Sequence, residues 1–216
     1  MMGVMAARPP GRSVKIGEQE RTGWSSDRPR RDGRERTPDL TVSCRVLAPA
    51  DRLRYSPGSL LIVACASPEE RERFLARLIE DRASLLSPAK VRALLRGRVG
   101  EAEIEERAGE LLQATVAKRL ENRDTVVLAP DGLDAAERAP YVRLAAAQRR
   151  PRHLILLEVP RERVSEEDLP ALNELRRALD AGELGAEGIQ TVLRLGGGTA
   201  EEVKRILFRP PPREED

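Results

Sequence analysis

Aromatic residues, histidine and cysteine are scarce in this sequence, and each shortage closes off a class of function. Phe, Trp and Tyr together make up 2% of the 216 residues. The core must therefore be aliphatic, and the arginine clusters have no stacking platform for single-stranded nucleic acid beside them. One histidine, His153, and two cysteines, Cys44 and Cys65, stand at no ligand spacing, so a zinc site is not expected. Both cysteines lie in apolar, strand-like runs and read as two buried thiols in a reducing compartment. His153 opens a strand and reads as structural. No apolar run approaches the roughly 20 residues that span a bilayer. The N-terminus has no apolar signal core. No membrane contact is expected, and the protein reads as cytoplasmic.

What the sequence has in quantity is charge. Charged residues make up 34% and nearly balance. The basic excess is local. Residues 1–40 carry nine Arg and Lys against six Asp and Glu, whereas residues 41–216 carry 29 against 30. The folded part thus offers no overall basic field for nucleic acid. Residues 1–39 are rich in Arg, Pro, Gly and Ser without periodicity, and a disordered tail is expected there, with Trp24 its one anchor for a partner. A domain is expected over 40–208, and the Pro-rich, charged residues 209–216 should fray.

The organising stretch runs from Gly58 to Arg82. Leu60 to Ala66 is an unbroken apolar run, as expected for a parallel strand covered on both faces. A helix then starts with Ser67 as N-cap, Pro68 at the first helical position and Glu70 three residues after the cap. Phe74, Leu75, Leu78 and Ile79 give it one apolar stripe.

Strands and helices alternate beyond it. Leu40–Leu47 alternates enough for an added N-terminal strand, and Ser84–Leu86 for a very short one. Pro88–Leu95 and Glu101–Leu120 read as helices, the second with Ile104, Ala108, Leu111, Leu112, Thr115, Val116 and Leu120 on its inner face. Further strands are expected at Thr125–Ala129, Leu154–Val159 and Gln190–Leu195. Helices are expected at Asp134–Gln148, capped by Asp134, and at Ser165–Ala181, opened by a Ser165–Asp168 capping pair. A last helix should run from Gly196–Thr199 to Leu207, with Thr199 and Glu202 as its cap. The pattern predicts an α/β protein, a three-layer α/β/α sandwich around a mostly parallel five-stranded sheet. Ligands in such sheets bind beyond the carboxyl ends of the strands. Those ends are Cys65–Ser67, Ala129–Asp131, Pro160–Arg163 and Gly196–Thr199.

A phosphate-binding loop at the first of these ends needs G-x-x-x-x-G-K-[S/T]. Its glycines let backbone N–H groups wrap the phosphates, its lysine reaches the outer ones, and its hydroxyl holds magnesium. The octet here is Cys65 to Glu72, CASPEERE. Cys65 and Glu70 replace the glycines, Pro68 removes a donor, Arg71 takes the lysine position and Glu72 the hydroxyl position. Glu69, Glu70 and Glu72 put negative charge where a phosphate needs positive potential.

The order of elements resembles small P-loop kinases, above all the polynucleotide kinase domain of bacterial RNA-repair proteins. FLARL after the octet, SPAKVRALL at 87–95, TVVLAPDG with the arginines that follow it, LLEVP and AEGIQTVLRL carry the resemblance, over about residues 58–207. It implies a P-loop kinase-like fold, and it implies what is missing. The family's catalytic aspartate on its second strand aligns with Ala89, and the aspartate of its third strand with Leu128, although Asp131 is near. Arg92 and Arg138 match family arginines. The arginine-bearing lid is shortened to Arg161 and Arg163. Phosphoryl transfer rests on positioned charge around phosphate and metal. The resemblance therefore implies a pseudokinase with no catalytic residues, no cofactor and no metal, acting through a protein partner or a second copy. The alternative is a nucleotide-binding phosphotransferase for ATP and magnesium, rebuilt on Arg71, Arg92, Asp131, Arg138, Arg161 and Arg163, with Ser67 and Glu72 as remnants of the loop. Arginine binds phosphate bidentately without a glycine loop; the bland reading is that these arginines pair with the many nearby glutamates. Nucleic-acid binding through the tail and Arg149, Arg150 and Arg152 is a third, weaker expectation.

Overall fold

Every residue from Leu60 to Cys65 is buried, and this strand is the middle of the sheet. The computed structural model describes residues 52–209. In chain order it places β1 (Leu53–Tyr55), β2 (Leu60–Cys65), α1 (Pro68–Leu78), β3 (Leu85–Leu86), α2 (Pro88–Leu95), α3 (Ile104–Glu121), β4 (Val126–Leu128), α4 (Ala135–Ala147), β5 (Arg152–Leu157), α5 (Leu169–Asp180), β6 (Thr191–Leu195), α6 (Gly198–Glu202) and β7 (Ile206–Phe208). The tail, Trp24, Cys44, the strand expected at 40–47 and the residues from 210 onward lie outside the described residues.

Five strands form one sheet in the order β3-β4-β2-β5-β6, and every neighbouring pair is parallel. Alternation along each strand divides the core in two. Leu60, Ile62 and Ala64 face Leu112 and Val116 of α3, Tyr141 of α4 and Leu172 of α5. Leu61, Val63 and Cys65 face Phe74, Leu75 and Leu78 of α1, with Leu53 and Ile206 beside them. Each fully buried leucine or isoleucine here contributes about 1.5–3 kcal/mol of transfer free energy. The α/β fold with a three-layer, five-stranded parallel sheet is thus as the periodicity predicts.

The two faces follow from the order in which the chain visits the strands. It leaves β2 for the edge strand β3, returns through β4 and then crosses to β5 and β6. Right-handed crossovers put helices on opposite faces when the direction of travel reverses. Hence α1 lies on one face and α2 to α5 on the other. The helix after β2 leaves on the opposite side from those after β4 and β5, its two neighbours. Such a divergence opens a crevice at the carboxyl end of the sheet.

A second, two-stranded parallel sheet joins β1 to β7 on the α1 face. This departs from the helix expected to reach Leu207. α6 stops at Glu202, Val203 turns extended, and Ile206 and Leu207 are buried against α1. Pairing with β1 decides the outcome over local helix signals. Leu111, expected on the inner face of α3, is 44% exposed, because the buried stripe is Ala108, Leu112, Val116 and Leu120 at a strict spacing of four. Asp134 holds the N-cap position of α4 but makes no side-chain cap bond there. Residues 166–168 form a turn ahead of α5, although Ser165 Oγ does accept the Asp168 N–H at 3.0 Å. Among the described residues no helix is long and apolar enough to cross a membrane.

Candidate functional site

At the crevice beside the end of β2, the side chains of the rim bond to one another. Ser67 caps α1, its hydroxyl accepting the Glu70 N–H at 3.4 Å and donating to the Glu69 carboxylate at 3.1 Å. The Glu69 carboxyl sits below its usual range, held there by its own backbone N–H and then by the Ser67 hydroxyl. Glu70 accepts from Arg73 at 2.8 Å and from Arg163, which reaches it from the turn after β5. In the first turn of α1 the Ser67 hydroxyl takes the Glu70 N–H, and chain carboxylates complement the helix dipole.

Arg71, at the position of a phosphate-loop lysine, is only 3% exposed. Its Nη1 donates to the Pro130 carbonyl beyond β4, and its Nε has no partner. Burial lowers its pKa. Glu72 is exposed on the outside of α1.

Of the other arginines, Arg92 meets Arg71 on neighbouring residues, Asp131 and Pro130, while Arg138 and Arg161 bond elsewhere. Arg92 on α2 bonds Asp131 at 2.6 Å and approaches Glu105 at 3.4 Å. Arg138 on α4, 4% exposed, bonds both oxygens of Glu187 at 2.6 Å and the Leu133 carbonyl at 2.6 Å. Arg161 pairs with Glu166 at 2.7 Å and with the Val164 carbonyl. Arg92, Arg138 and Arg161 each reach a glutamate, as the bland reading expects, while Arg71 departs from it by bonding a backbone carbonyl.

Two hollows border this edge. One, of about 390 Å³, lies between α1 and the ends of β5 and β6, with Phe74, Leu157, Val159 and Pro160 against Glu70 and Arg163. The other, of about 300 Å³, lies between α2, α3 and α4, around Arg92 and Asp131.

One constellation escaped the sequence reading. Glu158, just past β5, accepts from Arg176 Nε at 2.9 Å and Arg194 Nε at 2.8 Å. Burial acts to raise its pKa, but the two guanidiniums outweigh that and hold it low. Gly196 is required beside it, since a Cβ there would come within 2.9 Å of the Glu158 Cβ. The apolar run ending in Glu158 was visible; its partners, 18 and 36 residues away, were not. The Gly196–Thr199 turn is also self-satisfied. Thr199 Oγ1 donates to the Gly196 carbonyl at 2.6 Å and accepts its N–H at 3.1 Å, so Thr199 lies inside α6 and Gly197 is the N-cap.

The basic run at 149–152 ties the frame together. Arg150 Nε donates to the Leu120 carbonyl at the end of α3, and Arg152 Nε to the Gly188 carbonyl before β6. His153 bonds the Thr191 hydroxyl at 2.7 Å and packs on the Tyr55 ring at a centroid distance of 4.7 Å. Burial lowers its pKa to about 4, and its Nε2 is buried without a partner. Cys65 is a buried free thiol whose pKa burial raises. Among the described residues no group of three or more His, Cys, Asp or Glu is placed to hold a metal ion.

No protein-family model matches the chain, and no curated protein matches it.

Proposed function

We propose that this chain is a noncatalytic, P-loop kinase-like protein that acts by binding another protein or a second copy of itself. The observation that carries the reading is the internally bonded first turn of α1. Ser67 caps it, Glu70 is neutralised by Arg73 and Arg163, and Arg71 is committed to the Pro130 carbonyl. A nucleotide phosphate placed there would meet Glu69 and Glu70 at close range and would have to displace Arg163. Negative charge placed against two carboxylates is repelled. The remaining frame is an α/β scaffold with charged, paired surfaces, suited to presenting an interface.

The second reading is a phosphotransferase with an arginine-based site for ATP and magnesium. What favours it is the hollow beside α1, which carries Arg73 and Arg163 on its wall. Titration calorimetry and thermal shift with ATP–magnesium and with ATP alone separate the two. The noncatalytic reading expects no heat and no shift at millimolar ligand, and light scattering or partner capture showing an assembly. Saturable nucleotide binding at the start of α1, or a strict monomer that recovers no partner from its own cell, goes against it.

A further inference from the structure

The groove between α2, α3 and α4 plays no part in that reading. Its floor is apolar: Leu112 and Leu128 are fully buried and Tyr141 nearly so. Two residues along it cost their helices stability. Gly109 lies inside α3, and a Cβ built on it would meet nothing within 4 Å. Glycine is disfavoured in a helix interior, and no internal packing calls for one here. Pro140 lies inside α4, where it lacks the N–H that would bond the Ala136 carbonyl four residues earlier. Both Ala136 and Pro140 line the groove. One choice leaves room over the floor; the other leaves an oxygen acceptor short of its donor.

The rim is unequal in charge. Glu105, Asp131 and Glu137 line it against one lining cation, Arg92, with the buried Arg71 guanidinium behind Pro130, so acids still outnumber bases by three to two. Arg92 lies between Asp131 and Glu105, while Glu137 accepts the Gly132 N–H at 2.7 Å. The groove thus offers an apolar bed with acceptors above it. An anion is repelled there. An apolar side chain would cover polar atoms without pairing them. A long basic side chain satisfies both parts, with its methylenes on the floor and its N–H donors at the rim.

We propose that this groove takes a lysine or arginine side chain carried by a partner protein. The inference rests on the protein-binding reading above and names the chemistry of the partner. Charge complementarity with the acidic rim selects this occupant, and the volume of about 300 Å³ admits a full side chain.

The test uses the full chain labelled with nitrogen-15 and capped five-residue alanine peptides whose central residue is Arg, Lys, Glu or Leu. The Arg and Lys peptides should shift the Gly109 and Gly132 amides and their neighbours saturably, and the Glu and Leu peptides should not. Glu105→Gln with Glu137→Gln should weaken binding about five- to tenfold, the loss expected for two partly exposed ion pairs. Gly109→Leu should abolish the shifts without lowering the melting temperature. The inference is overturned if the Glu or Leu peptide binds as well, or if Gly109→Leu binds like the parent. It is also overturned if the same amides move with protein concentration alone, because a second copy then fills the groove. ATP–magnesium added to the same sample keeps the two readings apart. Nucleotide binding with the groove shifts intact removes the noncatalytic reading only, and silent nucleotide with silent groove removes this inference only.

Discussion

Arg71 sends its guanidinium from the first turn of α1 to the backbone carbonyl of Pro130, just past the end of β4. A cation at the point where the resemblance expects a phosphate ligand is thereby used to join the segments that follow two neighbouring inner strands, β2 and β4. Its aliphatic stem packs inside and its charge is largely desolvated. Arg71→Ala should lower unfolding stability by about 2–3 kcal/mol, through lost stem packing and an orphaned carbonyl. Arg71→Met keeps the stem and removes the buried charge, and should cost about 1 kcal/mol. Urea denaturation of the two variants checks this, and equal losses would show that the stem contributes nothing. Neither variant should gain nucleotide binding.

The arginine pairs should divide by burial rather than by distance. Arg138 is 4% exposed and serves Glu187 and the Leu133 carbonyl together. Removing it leaves a carboxylate and a carbonyl without donors, so Arg138→Ala should cost about 3–4 kcal/mol. The Arg163 side chain is 56% exposed, and its bond to Glu70 is screened by water. Arg163→Ala should cost less than about 1 kcal/mol. A calorimetric melt of each variant decides the matter; similar losses would contradict it.

The central strands were legible because burial on both faces leaves an apolar run that nothing else explains, as in Leu60–Cys65 and Leu154–Leu157. The cap at Ser67 was legible because its partner is three residues away. β1 and β7 were not. Leu53–Tyr55 is three residues long and flanked by arginine, and its pairing with Ile206–Phe208 joins the two ends of the domain. No local pattern encodes a partner 153 residues distant, as Ile206 is from Leu53. Arg71 was named from its alignment, but its direction depends on the Pro130 carbonyl, 59 residues on. The Glu158 pairs with Arg176 and Arg194 were missed for the same reason. Residue types at a site are written locally, while their pairings are set by the sheet order.

Two glycines should respond in opposite directions to the same substitution. Gly58 precedes β2 with φ +71°, and a Cβ on it would lie 2.7 Å from the Arg123 carbonyl oxygen. Gly58→Ala therefore meets both backbone strain and a clash with main chain, and should lose about 2–4 kcal/mol. Gly109 has helical surroundings and open space, so Gly109→Ala should gain about 1 kcal/mol. Denaturant midpoints of the two variants give the signs directly. A loss at Gly109 would mean that something already rests on that face of α3.

The sole histidine should make stability fall on mild acidification. His153 is held neutral by burial, with its pKa near 4 in the fold against an ordinary 6.5. As pH drops below about 6.5, the unfolded chain takes up the proton first, and the native state takes it up only near pH 4. The unfolded state thus binds more protons across that window, and stability declines with falling pH until the native histidine also titrates. A shift of this size corresponds to about 3–4 kcal/mol over the whole window. His153→Phe keeps a ring against Tyr55 but loses the bond to Thr191. It should be somewhat less stable than the parent at pH 7, yet lose less stability between pH 6.5 and 4. Carboxylates titrate in both proteins, so the difference between the two curves isolates the histidine. Parallel curves would show that His153 titrates alike in the folded and unfolded chain, and that the Tyr55 face does not exclude water from its ring.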